Sequence, residues 1–141
     1  MSPAQLWRLQ NDSSFREVPL VMVRILMTPE QLETAITLYE RLLRVPCDLR
    51  FEYPEMSLRL ASIGNVLLIA GNETALESFR ATAMTLLVAS LDEYLERFDA
   101  LGVEVVSPPK AVPTGRNLLA RHPDGTLVEY VEHRRQPGEA G

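Results

Sequence analysis

A chain of 141 residues that is 46% hydrophobic and 23% charged can bury one core and has the balance of an ordinary globular domain, which excludes disordered and fibrous classes. Its net charge of −5, with no basic run beyond Arg134-Arg135, leaves no electrostatic footprint for nucleic acid. Arg24 interrupts the strongest apolar run, so no window approaches the ~20 apolar residues of a membrane span, and residues 1–19 lack the apolar stretch of a secretory signal; the protein is expected in the cytoplasm.

Residues 1–19 read as an N-terminal arm. Leu20 to Met27 is rich in β-branched residues and free of Gly and Pro, which predicts a buried strand. Thr28, Pro29 and Gln31 form a helix start with a capping box, and Leu32, Ala35, Ile36, Tyr39, Leu42 and Leu43 recur at helical spacing, predicting a helix over 29–44. Cys47, the only cysteine, excludes an internal disulfide and reads as a packing residue. Leu49 to Tyr53 and Met56 to Ala61 alternate around a turn at Pro54-Glu55, which predicts a hairpin. A turn at Gly64-Asn65 leads into the apolar strand Val66 to Ala70.

Residues 72–80 have little periodicity and read as a connector. The order of elements then repeats. Met84 to Ala89 is a strand, Ser90 and Glu93 make a second capping box, and Leu91, Tyr94, Leu95, Phe98 and Leu101 form a helical stripe closed by Gly102. A short strand at 103–106 precedes a loop containing Pro108, Pro109, Pro113 and Gly115. Leu118 to Arg121, the turn His122-Pro123-Asp124-Gly125, and the strand Thr126 to Val131 complete the second copy. The caps Thr28 and Ser90 lie 62 residues apart and the turn glycines Gly64 and Gly125 lie 61 apart, so one spacing governs both copies.

A duplicated strand-helix-strand-strand-strand unit, with Gly115-Arg116 and then His122-Pro123-Asp124-Gly125-Thr126-Leu127-Val128-Glu129-Tyr130 in its last strands, resembles the vicinal oxygen chelate superfamily, which includes glyoxalases, bleomycin-resistance proteins and dioxygenases. The resemblance covers roughly residues 20–132. It implies an α+β fold, two tandem βαβββ modules (20–71 and 81–133) forming a curled mixed sheet around a concave cavity with helices outside. Together these make one glyoxalase-like domain over 20–133, followed by a disordered tail over 134–141. It also implies a homodimer with Arg24 or the first strand near the contact.

The same resemblance implies a divalent metal held by two residues of each copy, on the first and last strands. Overlaying the copies by their turn glycines sets Glu129 against Leu68, and overlaying them by their caps sets Ala83 against Val21. Only Glu129 then carries a donor, and the neighbours Met22, Thr82 and Met84 are no better ligands for a hard cation. His122 in the turn and His133 after the last strand are not expected on the concave face. The expectation is a member whose metal site is depleted, with no metal and no cofactor.

The candidate ligand-binding residues are Glu129, Arg24, Arg50, Arg59 and Arg116. Glu129 shares a strand face with Leu127 and Val131; it contacts a ligand, pairs with an Arg, or is exposed. Arg24, amid apolar neighbours, pairs with Glu129 or reaches solvent along its stem. Arg50 and Arg59 alternate in the hairpin and are either solvated or site residues; Arg116 lies where the superfamily places substrate-facing groups. Two functions follow from the resemblance: a metal-independent protein that sequesters an unknown small molecule such as an antibiotic or metabolite, or a lyase, isomerase or dioxygenase-like enzyme with Glu129 as acid or base.

Overall fold

The structure, a computed structural model, describes residues 6–139; the extreme ends of the expected arm and tail lie outside the described residues. The strands are β1 (Leu6–Arg8), β2 (Leu20–Met27), β3 (Cys47–Tyr53), β4 (Leu58–Ile63), β5 (Val66–Ala70), β6 (Thr82–Leu87), β7 (Glu104–Val112), β8 (Gly115–Arg121) and β9 (Leu127–His133). The α-helices are α1 (Leu32–Leu43), α2 (Glu73–Glu77) and α3 (Leu91–Leu101). The fold is α+β, with the two βαβββ modules in the expected order. No described helix is long and apolar enough to cross a membrane.

The described residues form two compact units, the first from residues 6–10, 23–80 and 137–139 and the second from residues 11–22 and 81–136. In the first, the strands run β1-β3-β4-β5-β2. β5 is parallel to β2 and antiparallel to β4, so the sheet is mixed. Thr28 N–H donates to Gln31 Oε1 at 2.9 Å, Pro29–Gln31 forms a 3-10 turn, and α1 ends at Arg44 in the left-handed conformation. The helical stripe lays Leu32 and Ile36 onto Cys47, Ala61, Ile63, Val66, Leu68 and Ala70. Every second residue of β5 therefore faces α1, as the period of a strand requires.

The second unit orders its strands β6-β9-β8-β7, with β6 and β9 parallel. Ser90 Oγ accepts from Glu93 N–H, and Gly102 caps the other end of α3 at φ 72°. Leu91 and Phe98 pack on Val88, Leu118, Ala120, Val128 and Tyr130. Tyr130 is enclosed by Phe98 and Tyr94, with ring centroids at 5.1 and 5.8 Å, and its hydroxyl lies 2.8 Å from His122 Nε2. Burial pushes the Tyr130 phenol above its ordinary pKa.

Several segments differ from the sequence-based expectation. The arm contributes β1, which pairs antiparallel with β3, and buries Ser13, whose Oγ donates to Val88 O at 2.7 Å and accepts from His133 N–H at 2.9 Å. The connector holds α2, capped by the Asn72 side chain accepting from Ala75 N–H. Pro108 and Pro109, expected in a loop, are instead part of β7, an edge strand whose register shifts at Ser107, while Pro113 and Thr114 form a turn as expected. An edge tolerates Pro108 and Pro109 because their missing N–H groups need not feed a ladder. The segment 134–139 has no helix or strand, yet Glu139 is hydrogen-bonded to Arg8.

Candidate functional site in the second unit

Alternation along β9 separates two sets of side chains. Val128 and Tyr130 pack against α3, which leaves Glu129 on the opposite face of the strand. The registers place Thr85 of β6 and Leu119 of β8 directly beside it. Thr85 Oγ1 donates to Glu129 Oε1 at 2.7 Å, and Asn117 Nδ2 donates to Glu129 Oε2 at 2.7 Å. Both carboxylate oxygens are thereby fixed by neutral donors from the two flanking strands. Thr85 is 2% exposed, so its hydroxyl is a rigid part of the fold. Such a carboxylate is aimed by its neighbours, since each donor bond removes a rotameric choice.

Thr85 and Asn117 were not singled out from the sequence. The signal for Asn117 was present: two residues before Leu119, the cross-strand partner of Glu129, it shares a face with Leu119 in the penultimate strand. Thr85 carried no signal beyond strand propensity. His133 needs a correction as well: it is the last residue of β9 and, by alternation with Glu129 and Val131, lies on the face of Glu129.

The other candidates are in different settings. Arg116 lies opposite Glu132, on the α3 side: its Nε donates to Glu132 Oε2 at 3.2 Å and its Nη2 to Asp92 Oδ1 at 3.4 Å. The bond to Glu132 is the main cause raising the Arg116 pKa above its ordinary value. The structure does not bring Arg116 to Glu129. In the first unit, Arg50 pairs with Glu33 of α1, while Arg59 lies 3.9 Å from Glu33 and 3.7 Å from Glu52. Both line, with Trp7, Leu32 and Glu52, a cleft of about 360 Å³ on the α1 side. Arg24 of β2 places its guanidinium 5.8 Å from the centroid of Phe79.

The overlay of the two copies also needs correction. Ile63 is joined to Val66 by two residues, whereas Arg121 is joined to Leu127 by five. Counting four residues from each turn glycine therefore lands on opposite faces: Leu68 is buried against α1 and Glu129 points away from α3. The counterparts of Glu129 on β5 are Leu67 and Ile69. Val21 shares its face of β2 with Ile25 and Met27, which pack on the α1 core, and Ala83 lies in the irregularity between Thr82 and Met84. The residues facing away from the helices are Arg24 and Leu26 on β2 and Thr85 and Leu87 on β6. Among the described residues no three of His, Cys, Asp or Glu gather as a cation-binding group.

No family model and no curated protein matches the chain. Among solved structures, an uncharacterized protein from Methanosarcina mazei is 41% identical, with a TM-score of 0.76, over 86% of this chain and 97% of its own. Methylmalonyl-CoA epimerase from Mycobacterium tuberculosis is 20% identical with a TM-score of 0.61, covering 92% of this chain and 95% of its own. A Streptomyces coelicolor methylmalonyl-CoA epimerase in complex with 2-nitronate-propionyl-CoA is 16% identical with a TM-score of 0.58, over 80% and 95%. The two epimerases belong to the vicinal oxygen chelate, or glyoxalase-like, family, and at these identities what they share with this chain is the fold.

Proposed function

The chain belongs to the family of the Methanosarcina mazei protein and has the glyoxalase-like fold of the epimerases, and from that premise we propose that it binds a small molecule without a metal ion, with Glu129 as the group that meets the ligand. The observation that carries this reading is the Thr85–Glu129–Asn117 arrangement. An ionised carboxylate offers about four acceptor positions. Thr85 and Asn117 engage one on each oxygen and fix the plane of the group, the way binding sites hold a polar residue that orients a ligand.

The donor chemistry supports the metal-free part of the reading. Facing away from the helices on the first and last strands are Arg24, Leu26, Leu67 and Ile69 in the first unit, and Thr85, Leu87, Glu129, Val131 and His133 in the second. In the second unit one carboxylate and one hydroxyl are too few for a hard divalent cation, and His133, four residues along the strand from Glu129 and so about 13 Å away, cannot share an ion with it; the first unit offers a guanidinium and apolar groups in these positions, none of them a cation ligand. Purified protein is therefore expected to carry no stoichiometric Zn, Ni, Mn or Fe after dialysis. Elemental analysis finding one ion per chain would overturn the reading.

The ligand is found by screening metabolites for those that raise the melting temperature of metal-free protein. A ligand at about 100 times its Kd adds about 2.7 kcal/mol of stability, or roughly 10 °C for a chain of this size. The fold shared with epimerases favours a second reading, an enzyme with Glu129 as acid or base. Turnover of a stabilising ligand, abolished by Glu129→Gln, distinguishes catalysis from sequestration.

A further inference from the structure

Arg8 of β1 and Glu139 of the C-terminal segment form a two-pronged pair, Nε donating to Oε2 at 2.7 Å and Nη2 to Oε1 at 2.9 Å. The two side chains are 1% and 7% exposed. The exposed pair Arg80–Glu77 is held loosely by comparison, at 3.8 Å. The register sets Trp7 opposite Arg50 and Arg8 opposite Leu49. Because Arg50 reaches Glu33 of α1, Arg8 lies on the other face of the strands, away from α1.

A guanidinium fork is matched in plane and spacing to a carboxylate, and withdrawing it from water is costly without such a partner. The carboxylate here comes from a segment without helix or strand, next to Gly138 at φ 80°. A segment with no regular backbone pairing opens at small free-energy cost compared with the sheet that holds Arg8. The site is thus rigid on the arginine side and detachable on the carboxylate side.

We propose that Arg8 is a carboxylate-recognition site of the first unit and that Glu139 is its internal occupant, which a free acidic small molecule displaces. The ligand class is a carboxylate on an aliphatic stem, the chemistry the Glu139 side chain presents. The proposal does not depend on the reading of Glu129. A carboxylate tethered by a few residues acts at millimolar effective concentration, so the tail sets a threshold that a competing acid must exceed. Removing the Glu139 side chain lowers that threshold.

Sodium propionate, which has the carboxylate and stem of a glutamate side chain, is the probe, with sodium chloride at equal ionic strength as control. In wild type, propionate is expected to release the tail, seen as a shift of the Gly138 backbone amide resonance to an unstructured position. Glu139→Ala should bind propionate about ten-fold or more tightly, as expected when a millimolar internal competitor is removed, and the double variant Arg8→Gln/Glu139→Ala should not bind it. A Gly138 resonance that stays in place up to about 0.5 M propionate, several hundred-fold above that effective concentration, would make the pair a fixed clasp and overturn the proposal. Binding that persists in the double variant would also overturn it. The wild-type titration decides the matter even if the variants fold poorly.

Discussion

Gly115→Ala is expected to destabilise the protein by about 3 kcal/mol or more, at or beyond the upper end of overpacked sites, lowering the melting temperature by roughly 10 °C. Gly115 is paired with His133, and a methyl group there would lie 2.1 Å from the backbone oxygen of Glu132 and 3.0 Å from the nitrogen of Arg134. Backbone cannot yield as a flexible side chain does, so β8 must separate from β9 at its start. Asn117, two residues on, supplies one of the donors to Glu129; a variant that still folds should therefore bind ligand more weakly than wild type. Thermal denaturation checks the first effect. Gly125→Ala, with nothing within 4 Å of the added carbon, separates crowding from the backbone cost of a positive φ.

Glu132→Leu should cost about 2–3 kcal/mol, the range for hydrogen bonds to charged groups. The Glu132 side chain is 8% exposed and accepts from the Leu91 N–H, the first amide of α3, at 2.7 Å and from Arg116 at 3.2 Å. Leucine fills the space but leaves that amide without its partner. Glu132→Gln keeps an acceptor for Leu91 and should lose about half as much, since only the charged part of the Arg116 bond is removed. Denaturant unfolding of the three proteins gives the ranking. Equal losses in both variants would mean that the charge on Glu132, and not the cap on α3, holds this corner.

The two long helices, α1 and α3, and the central strands were legible because local and tertiary signals agree in them. Thr28 with Gln31 and Ser90 with Glu93 mark both helix starts, and Gly102 marks a helix end. The same agreement made the face of Glu129 readable from Val128 and Tyr130. β1 was not legible: three residues carry no periodicity, and the strand exists only because β3 pairs with it. The second half of β7 was misread as a loop because proline penalises a central strand but not an edge. The overlay failed at Leu68 because turn length differs between the copies, and one residue of slip exchanges the faces of a strand; at Val21 and Ala83 the irregularity of β6 between Thr82 and Met84 breaks the correspondence.

The site was legible only in its charged member. A lone Glu in a strand announces itself, whereas the Thr85 and Asn117 that aim it are ordinary strand residues until the register brings them within 2.7 Å. Arginines misled for the converse reason. Arg50, Arg59 and Arg116 alternate as site residues would, but their partners Glu33, Glu52, Asp92 and Glu132 come from distant positions in the chain or from the neighbouring strand.

The most direct measurement is calorimetric titration of metal-free wild type and Glu129→Gln with a metabolite that stabilises the wild-type protein. Gln preserves the shape and can still accept from Thr85, but it removes the charge and sets its own amide donors against Asn117 or the ligand. The account predicts that Glu129→Gln folds with a melting temperature within a few degrees of wild type and binds the metabolite at least about ten-fold more weakly, a loss of about 1.4 kcal/mol or more. Binding by Glu129→Gln as tight as by wild type would contradict it, as would wild-type binding that appears only after a divalent metal is added.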